Sequence, residues 1–420
     1  MKRHLIGIGG VGMSALATAL VRLGDEVTGA DRTLGTPNIK FLETLGVKVY
    51  PDDGSGVDSA TDEVIVSTAI EETNAGLIKA KELGIPVTHR AKALSRTLKD
   101  YKLVAVVGTC GKSTVTAMLG HVLAECGLDP MCVNGANVPG WEGAVRFGKG
   151  QYAVAEVDES DKSLVAFKPY ATIVTNASAD HYSKEEMDEV FDAFIRDCKG
   201  PVIDGRREEG RGKREQGTGV EWVTPLPGKH NLQNAALAAK MALALGCKAE
   251  DIKRALATFR GVERRLQLIS QPHPSSLIPH PFVYDDYAHN PEKLKAMWTT
   301  LVEKYPKGIC VIWRPHGYAP LRKMMDALAA MFAETVRPQD RLLLLPVYDA
   351  GGTTDRSVNS DELLHRIQTL KHSNTQTLQV ADLDAAYAWC EAHKGDFAAF
   401  VTCGARDPGL PALARRLSEM

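Results

Sequence analysis

The chain has no Cys-x-x-Cys pair, although it carries 8 cysteines in 420 residues. Cys110, Cys126, Cys132, Cys198, Cys247, Cys310, Cys390 and Cys403 are scattered, which excludes a zinc ribbon or a disulfide framework and fits a reduced, cytosolic chain. Net charge is nearly absent too. The balance of 50 basic and 52 acidic side chains leaves −2, so no bulk electrostatic force draws the protein to nucleic acid or to an acidic membrane. Long apolar runs are also missing. Met1-Lys2-Arg3 passes straight into a strand-and-glycine pattern with no signal-peptide core or spanning segment, so the expectation is a cytoplasmic protein without membrane insertion. No nucleophile–base signature stands out, which turns attention to positioning and charge stabilisation.

What is present is an ordinary globular composition, 44% apolar and 24% charged. The length suits about two to four domains. The strongest local signal lies around position 110. Leu103-Val104-Ala105-Val106-Val107 reads as a buried strand, and Ser113-Thr114-Val115-Thr116-Ala117-Met118-Leu119 as the start of an amphipathic helix. Between them Gly108, Thr109, Gly111 and Lys112 make a phosphate-binding loop, in which backbone N–H groups at a helix N-terminus cradle phosphate oxygens. Lys112 would neutralise the outer phosphates and the Ser113 hydroxyl would ligate Mg²⁺. The strict pattern has a further glycine where this chain has Val106 and Val107.

The chain opens on a second glycine motif. Gly7-x-Gly9-Gly10-Val11-Gly12 follows a short apolar strand; helical composition from Ala15 to Leu23 comes next, then a strand, Glu26–Asp31, ending in an acid. This is a βαβ fingerprint with Asp31 near the spacing for a ribose hydroxyl, and the turn can hold any pyrophosphate, including that of a UDP-sugar. Further strands are predicted at Val47–Tyr50, Glu63–Ser67 and Ile85–Thr88, with a helix at Ala75–Leu83. A polar helical connection from Arg90 to Tyr101 marks the first domain boundary.

In the middle of the chain a strand runs through Ala153-Val154-Ala155 into Glu156-Val157-Asp158-Glu159-Ser160-Asp161. A strand end of this kind places a carboxylate on or near Mg²⁺, and Glu156 is the best placed; a solvated loop explains Glu159 and Asp161 equally well. Another strand, Ala171–Asn176, leads to His181, a candidate second metal position. Residues 204–219 are glycine-rich and highly charged, and read as a surface loop. Beyond Arg264-Arg265, strands at Phe282–Asp286, Gly308–Trp313, Arg341–Pro346 and Ala398–Thr402 alternate with helices at Pro291–Tyr305 and Leu321–Val336, which implies a second Rossmann-like sheet. Cys403-Gly404-Ala405-Arg406-Asp407 follows its last strand, where α/β proteins place ligand loops.

Taken in order, these stretches resemble the Mur ligase family. The resemblance rests on Gly108-Thr109-x-Gly111-Lys112-Ser113, Glu156-x-Asp158-Glu159-Ser160-Asp161, Thr175-Asn176-x-x-Ala179-Asp180-His181, Gly228-Lys229-His230-Asn231-x-x-Asn234-Ala235 and Asp286-Tyr287-Ala288-His289-Asn290-Pro291. The opening glycine motif and Ser67-Thr68-Ala69-Ile70 point to the branch that acts on UDP-N-acetylmuramate.

The resemblance implies an α/β protein of three domains. These are a Rossmann-like UDP-substrate domain (1–98), a central P-loop ATPase-like parallel sheet (99–265) and a Rossmann-like domain (266–420) that closes over ATP and binds the amine. It implies an ATP- and Mg²⁺-dependent amide-bond ligase of peptidoglycan precursor synthesis, with L-alanine the expected amine and a peptide the alternative. Gly108, Thr109, Gly111, Lys112, Ser113 and Thr114 would hold ATP phosphates; Ser113, Glu156 and His181 the metal; and His230, Asn231 and Asn234 the adenine. Arg264 would reach the phosphates and Asp286 the ribose. Gly9, Gly10, Val11, Gly12, Asp31, Ser67 and Thr68 would bind the UDP substrate, and His289, Arg314 and Arg322 the amine. Lys112, Glu156 and His181 would carry catalysis. Partners beyond small molecules are not expected, and the oligomeric state is expected to be a monomer or weak dimer.

The chain departs from its family in two places. The family's Pro-His-Arg-Tyr-x-Arg, whose arginines help recognise the amino acid's carboxylate, reads Pro315-His316-Gly317-Tyr318-Ala319-Pro320 here, so both arginines are gone. The middle domain also looks trimmed near residues 204–219. An NAD-dependent oxidoreductase would use Gly7–Gly12 but leave the other motifs unexplained, and a non-catalytic homologue would have no need of Lys112 and a metal site.

Overall fold

The computed structural model describes residues 1–158, 163–177, 184–207, 221–270, 281–349, 355–371 and 376–420. They build three sheets. The first contains β1 (Lys2–Ile6), β2 (Glu26–Asp31), β3 (Lys48–Pro51), β4 (Glu63–Val66) and β5 (Val87–His89), all parallel in the order β3-β2-β1-β4-β5. β1 lies between β2 and β4, so the strand order reverses beside it and a crevice opens at its carboxyl end. Its helices are Val11–Arg22, Pro37–Thr44, Ala75–Glu82 and Arg90–Thr97.

The second sheet is built from β6 (Lys102–Val107), β7 (Met131–Val133), β8 (Val145–Arg146), β9 (Tyr152–Glu156), β10 (Ala171–Val174) and β11 (Val202–Asp204), in the order β11-β10-β6-β9-β7-β8. Only β8 among them runs antiparallel to its neighbour. β6 sits between β10 and β9 and is buried from Leu103 to Val107, as its unbroken apolar run requires for a strand covered on both faces. Register pairs Val107 with Val174 and Val106 with Glu156, which brings three strand ends to one edge.

These two sheets share one apolar core. Leu16, Leu20 and Leu94 from the first sheet's helices belong to the same buried cluster as Met131, Val133, Val145 and Phe191. Accordingly Met1–Pro225 and His230–Val262 form one compact unit, and Leu226–Lys229 with Glu263–Met420 form another.

The second unit holds the third sheet: β12 (Gln267–Ser270), β13 (Phe282–Asp286), β14 (Ile309–Trp313), β15 (Arg341–Leu344), β16 (Thr377–Gln379) and β17 (Ala399–Cys403). Their order is β12-β13-β17-β14-β15-β16, parallel except for β12. The helix Pro291–Lys304 follows β13, with Pro291 in its first turn and the Asn290 side chain accepting from Lys293 N at 2.9 Å. The next helix differs from expectation, running Tyr318–Thr335 rather than from Leu321. Gly317, with φ 155°, turns the chain out of β14, and Pro320 falls in the first turn, where its missing N–H costs nothing. No helix among the described residues is long and apolar enough to cross a membrane.

Candidate active site

The phosphate loop is held in shape from behind. Gly108 has φ 129°, and a Cβ there would lie 2.1 Å from Thr175 Oγ1; Gly111 has φ 82°, and a Cβ would lie 2.8 Å from Asn234 Oδ1. Neither position has room for a side chain. Asn176, just beyond β10, braces the loop: its Oδ1 accepts from Thr109 Oγ1 at 2.7 Å and Cys110 N at 2.9 Å, and its Nδ2 donates to Cys110 O at 3.1 Å. Thr175 Oγ1 donates to the same carbonyl at 2.6 Å. Lys112 opens the helix Lys112–Glu125 and its Nζ donates back to Gly108 O at 2.7 Å, with Asp158 Oδ1 at 3.9 Å. Ser113 and Thr114 are buried in the first turn. The result is a braced turn at a helix N-terminus with Lys112 folded across it, a geometry suited to phosphate.

Glu156 ends β9 on the same edge. Its Oε2 accepts from Gly135 N at 2.8 Å, and a Cβ on Gly135 would come within 2.4 Å of that carboxylate. The donors here are the Ser113 hydroxyl and the Glu156 carboxylate, hard oxygens of the kind magnesium takes beside phosphate oxygens, so these residues fit the ion. His181, with Glu159, Ser160, Asp161, Lys162, Ala179 and Asp180, lies outside the described residues, as do positions 208–219 of the charged loop. Asn231 and Asn234 are buried in the helix Lys229–Ala244, with Asn234 Nδ2 donating to Asn231 Oδ1 at 3.3 Å and Asn234 against Gly111; His230 stands exposed in the first turn.

The first sheet carries its own cradle. Asp31 Oδ2 accepts from Gly9 N at 2.8 Å and Oδ1 from Thr33 N at 3.0 Å, so this acid braces the glycine turn. Asn38 Nδ2 donates to Gly9 O at 2.9 Å, and its Oδ1 meets Asn137 Nδ2 of the second sheet at 3.5 Å. Gly10 caps the helix Val11–Arg22 without a side chain, leaving its first amides open. Ser67 and Thr68 follow β4, in a turn whose Ile70 would lie 3.3 Å from a Cβ on Gly7. The guanidinium of Arg90 stands against Gly12, 3.3 Å from where a Cβ would be. From sequence alone Arg90 reads as part of a polar connection, and Asn176 and Gly135 carry no assigned role. The available signal was a cation at the start of a helix, where the macrodipole disfavours it unless an anion is near.

At the third sheet, β13, β17 and β14 end side by side. Asp286 is buried, with Oδ2 accepting from Leu266 N at 2.6 Å and Oδ1 from Ala288 N at 2.7 Å. Burial pushes the neighbouring Asp285 up to about 6, opposed by Arg264, whose Nε donates to it at 3.0 Å. Arg264 is thus bound inside its own unit at φ 58°, and with Arg265 it flanks the Tyr287 ring, each guanidinium 5.2 Å from the ring centre. His289 Nδ1 bonds Tyr287 O at 2.9 Å, and the His289 and His316 rings meet edge to face with centroids 4.8 Å apart. Burial holds both imidazoles neutral, pushed down to about 4. Arg314 donates from Nη1 to Asp407 at 2.7 Å and from Nε to Pro346 O at 3.0 Å, while Arg322 pairs with Asp355 at 2.7 Å.

Residues 2–102 match the Mur ligase family, catalytic domain, and residues 264–406 the Mur ligase, glutamate ligase domain. The chain is 30% identical over 469 aligned residues to UDP-N-acetylmuramate--L-alanine ligase of Rhizobium etli, covering 99% of this chain and 97% of that protein. It is 29% identical over 451 residues to the enzyme of the same name from Agrobacterium fabrum, covering 96% and 93%. The first alignment is longer than the 420 residues of this chain, so the relative carries segments without a counterpart here. Among solved structures, the UDP-N-acetylmuramate-alanine ligase of Thermotoga maritima superposes with a TM-score of 0.82 at 25% identity over 100% of this chain and 98% of that one. A murein peptide ligase of Psychrobacter arcticus shares the fold, with a TM-score of 0.67 at 20% identity over 100% and 99% of the two chains.

Proposed function

The chain belongs to the Mur ligase family, and on that premise we propose that it is an ATP-dependent ligase joining the carboxylate of UDP-N-acetylmuramate to the amine of L-alanine in peptidoglycan precursor synthesis. The observation that carries this reading is the braced phosphate loop with the Glu156 carboxylate on the adjacent strand end. A carboxylate cannot be attacked by an amine until one of its oxygens becomes a leaving group. The muramate oxygen attacks the γ-phosphorus and ADP departs, leaving an acyl-phosphate. The amine then attacks the acyl carbon, and the tetrahedral intermediate expels phosphate as the nitrogen loses a proton.

The residues contribute position and charge. Backbone amides in the first turn of the helix Lys112–Glu125 and the Lys112 ammonium hold the phosphates and offset charge on the transferring group. Ser113 and Glu156 would hold Mg²⁺, which supplies further neutralisation when bound. The glycine turn with Arg90 binds the UDP diphosphate. The three domains divide this work as donor binding, phosphoryl transfer and amine recognition, in a protein of the cytoplasm. A peptide amine is the second reading, favoured by the loss of both motif arginines at Gly317 and Pro320.

The test is phosphate release from ATP and Mg²⁺ with UDP-N-acetylmuramate across single amino acids and a cell-wall tripeptide. Release stimulated by L-alanine supports the proposal, and release with the tripeptide alone moves it to the second reading. Silence with every acceptor despite ATP binding sinks both.

A further inference from the structure

We propose that recognition of the amine substrate's carboxylate has moved in this chain from the loop after β14 to the loop after β17, with Arg406 as the specificity-determining residue. The inference rests on the ligase reading for the identity of the carboxylate.

The motif positions after β14 carry no cation. Gly317 and Pro320 now start a helix, and the neighbouring Arg314 and Arg322 are each bound to a carboxylate, Asp407 and Asp355. The Arg314–Asp407 pair is largely buried, with side-chain exposures of 18% and 5%, so it is spent on joining two loops. The same pairing removes Asp407 as a partner for its neighbour. Arg406 is exposed, and among the described residues no group pairs with it. It is also held in the left-handed region at φ 66°, which an arginine adopts only at a cost in free energy. The turn is closed by Asp407 N donating to Ala405 O at 2.8 Å and sets Asp407 against Arg314, which leaves the Arg406 guanidinium on the exposed side of the loop, available to an anion.

The loop's surroundings indicate what that ligand is. Arg314 N donates to Cys403 O at 3.1 Å and Gly404 N to Asp286 O at 3.1 Å, so the loops after β14, β17 and β13 are tied together. His316 lies in the electrostatic field of both Arg406 and Lys293, and His289 feels Lys293 and Arg265. Those cations, after burial, keep both rings uncharged. The cluster is therefore three cations, Arg265, Lys293 and Arg406, beside two neutral imidazoles, which favours a carboxylate and can still offer ring nitrogens to an uncharged amine.

The experiment uses the full chain and Arg406→Gly, which removes the guanidinium and relaxes the backbone. Arg406→Lys serves as the conservative variant. The acceptor found by phosphate release is compared as free acid and as carboxamide. The wild type is expected to prefer the acid, and Arg406→Gly to lose on the order of 100-fold of that preference through KM, with the KM for ATP unchanged and Arg406→Lys intermediate. An undiminished preference in Arg406→Gly overturns the proposal. If the wild type turns over with no acceptor, the ligase reading fails separately, and acetate becomes the probe. A His316 ring resonance shifted by acetate in the wild type and not in Arg406→Gly supports the site, and no shift in the wild type overturns it.

Discussion

The phosphate loop and the strand ends of the third sheet are both ligand loops on parallel sheets, yet they are built on different terms. At the first, recognition belongs to backbone amides. Gly108 and Gly111 have their side-chain space filled by Thr175 and Asn234, and Asn176 fixes the amides from behind. At the second, side chains dominate: Arg314 and Arg406 sit on adjacent loops, one paired and the other exposed. Arg314 acts as a strut between two loops through Asp407. A backbone cradle resists drift because each residue is fixed by sterics. A side-chain cradle is less constrained, and on the proposed reading several positions could serve the same point.

The largest effect separating the two regions is expected from Lys112→Ala. Phosphate release should fall about 100-fold or more, since one preorganised charge on the transferring group is lost. Circular dichroism should show an intact fold, and near-normal release would break the contrast. A smaller effect, on stability alone, is expected from Arg314→Ala, which strands the buried Asp407 carboxylate. Urea unfolding should report a loss of about 2 kcal/mol, while the preference for acid over carboxamide acceptor persists; loss of that preference would show that Arg314 still binds substrate.

The histidine pair gives a third test. The imidazoles of His289 and His316 sit at about 4 when folded, below their ordinary 6.5. The unfolded chain therefore binds more protons in that window, so their contribution to stability is complete above 6.5 and is lost as pH falls toward 4. Between pH 6.5 and about 5 the loss should be about 1 kcal/mol per ring after solvent screening. His316→Asn should flatten the slope, and an unchanged slope would mean the ring is already solvated. The smallest effect is expected from Arg22→Ala. Its ion pair with Glu142 at 2.6 Å joins the first two sheets, but its partners are 40% and 36% exposed. Thermal unfolding should move by less than about 1 kcal/mol, which would leave the shared apolar core as the main joint.

Much of this was legible in the residues, and the exceptions are physical. Strands such as β6 and β14 were found because a strand covered on both faces is an unbroken apolar run, and the glycine loops because sterics leave few alternatives. The helix at Tyr318 begins earlier than its apolar pattern suggests, because Gly317 and Pro320 read as a loop in isolation and act as a helix start in context. Arg90, Asn176 and Gly135 were silent because their roles depend on contacts between strand ends distant in sequence. Asp31 was placed by spacing as a ribose contact, and that spacing also delivers it to Gly9 N. Arg314 and Arg322 could be nominated by position, but only their partners reveal that both are engaged.

The core that runs unbroken from Leu16 and Leu94 to Met131 and Phe191 has a further consequence. Because the glycine turn and the phosphate loop stand on one compact unit, their separation is set when that core packs. Bringing the acyl donor to the phosphoryl donor then needs little additional ordering, and the fixed interval acts as a gauge. On the proposed reading, a nucleotide-sugar with its diphosphate at Gly9–Gly12 would present its carboxylate near Lys112 only if its own length matched that interval, a selection by reach as well as by chemistry.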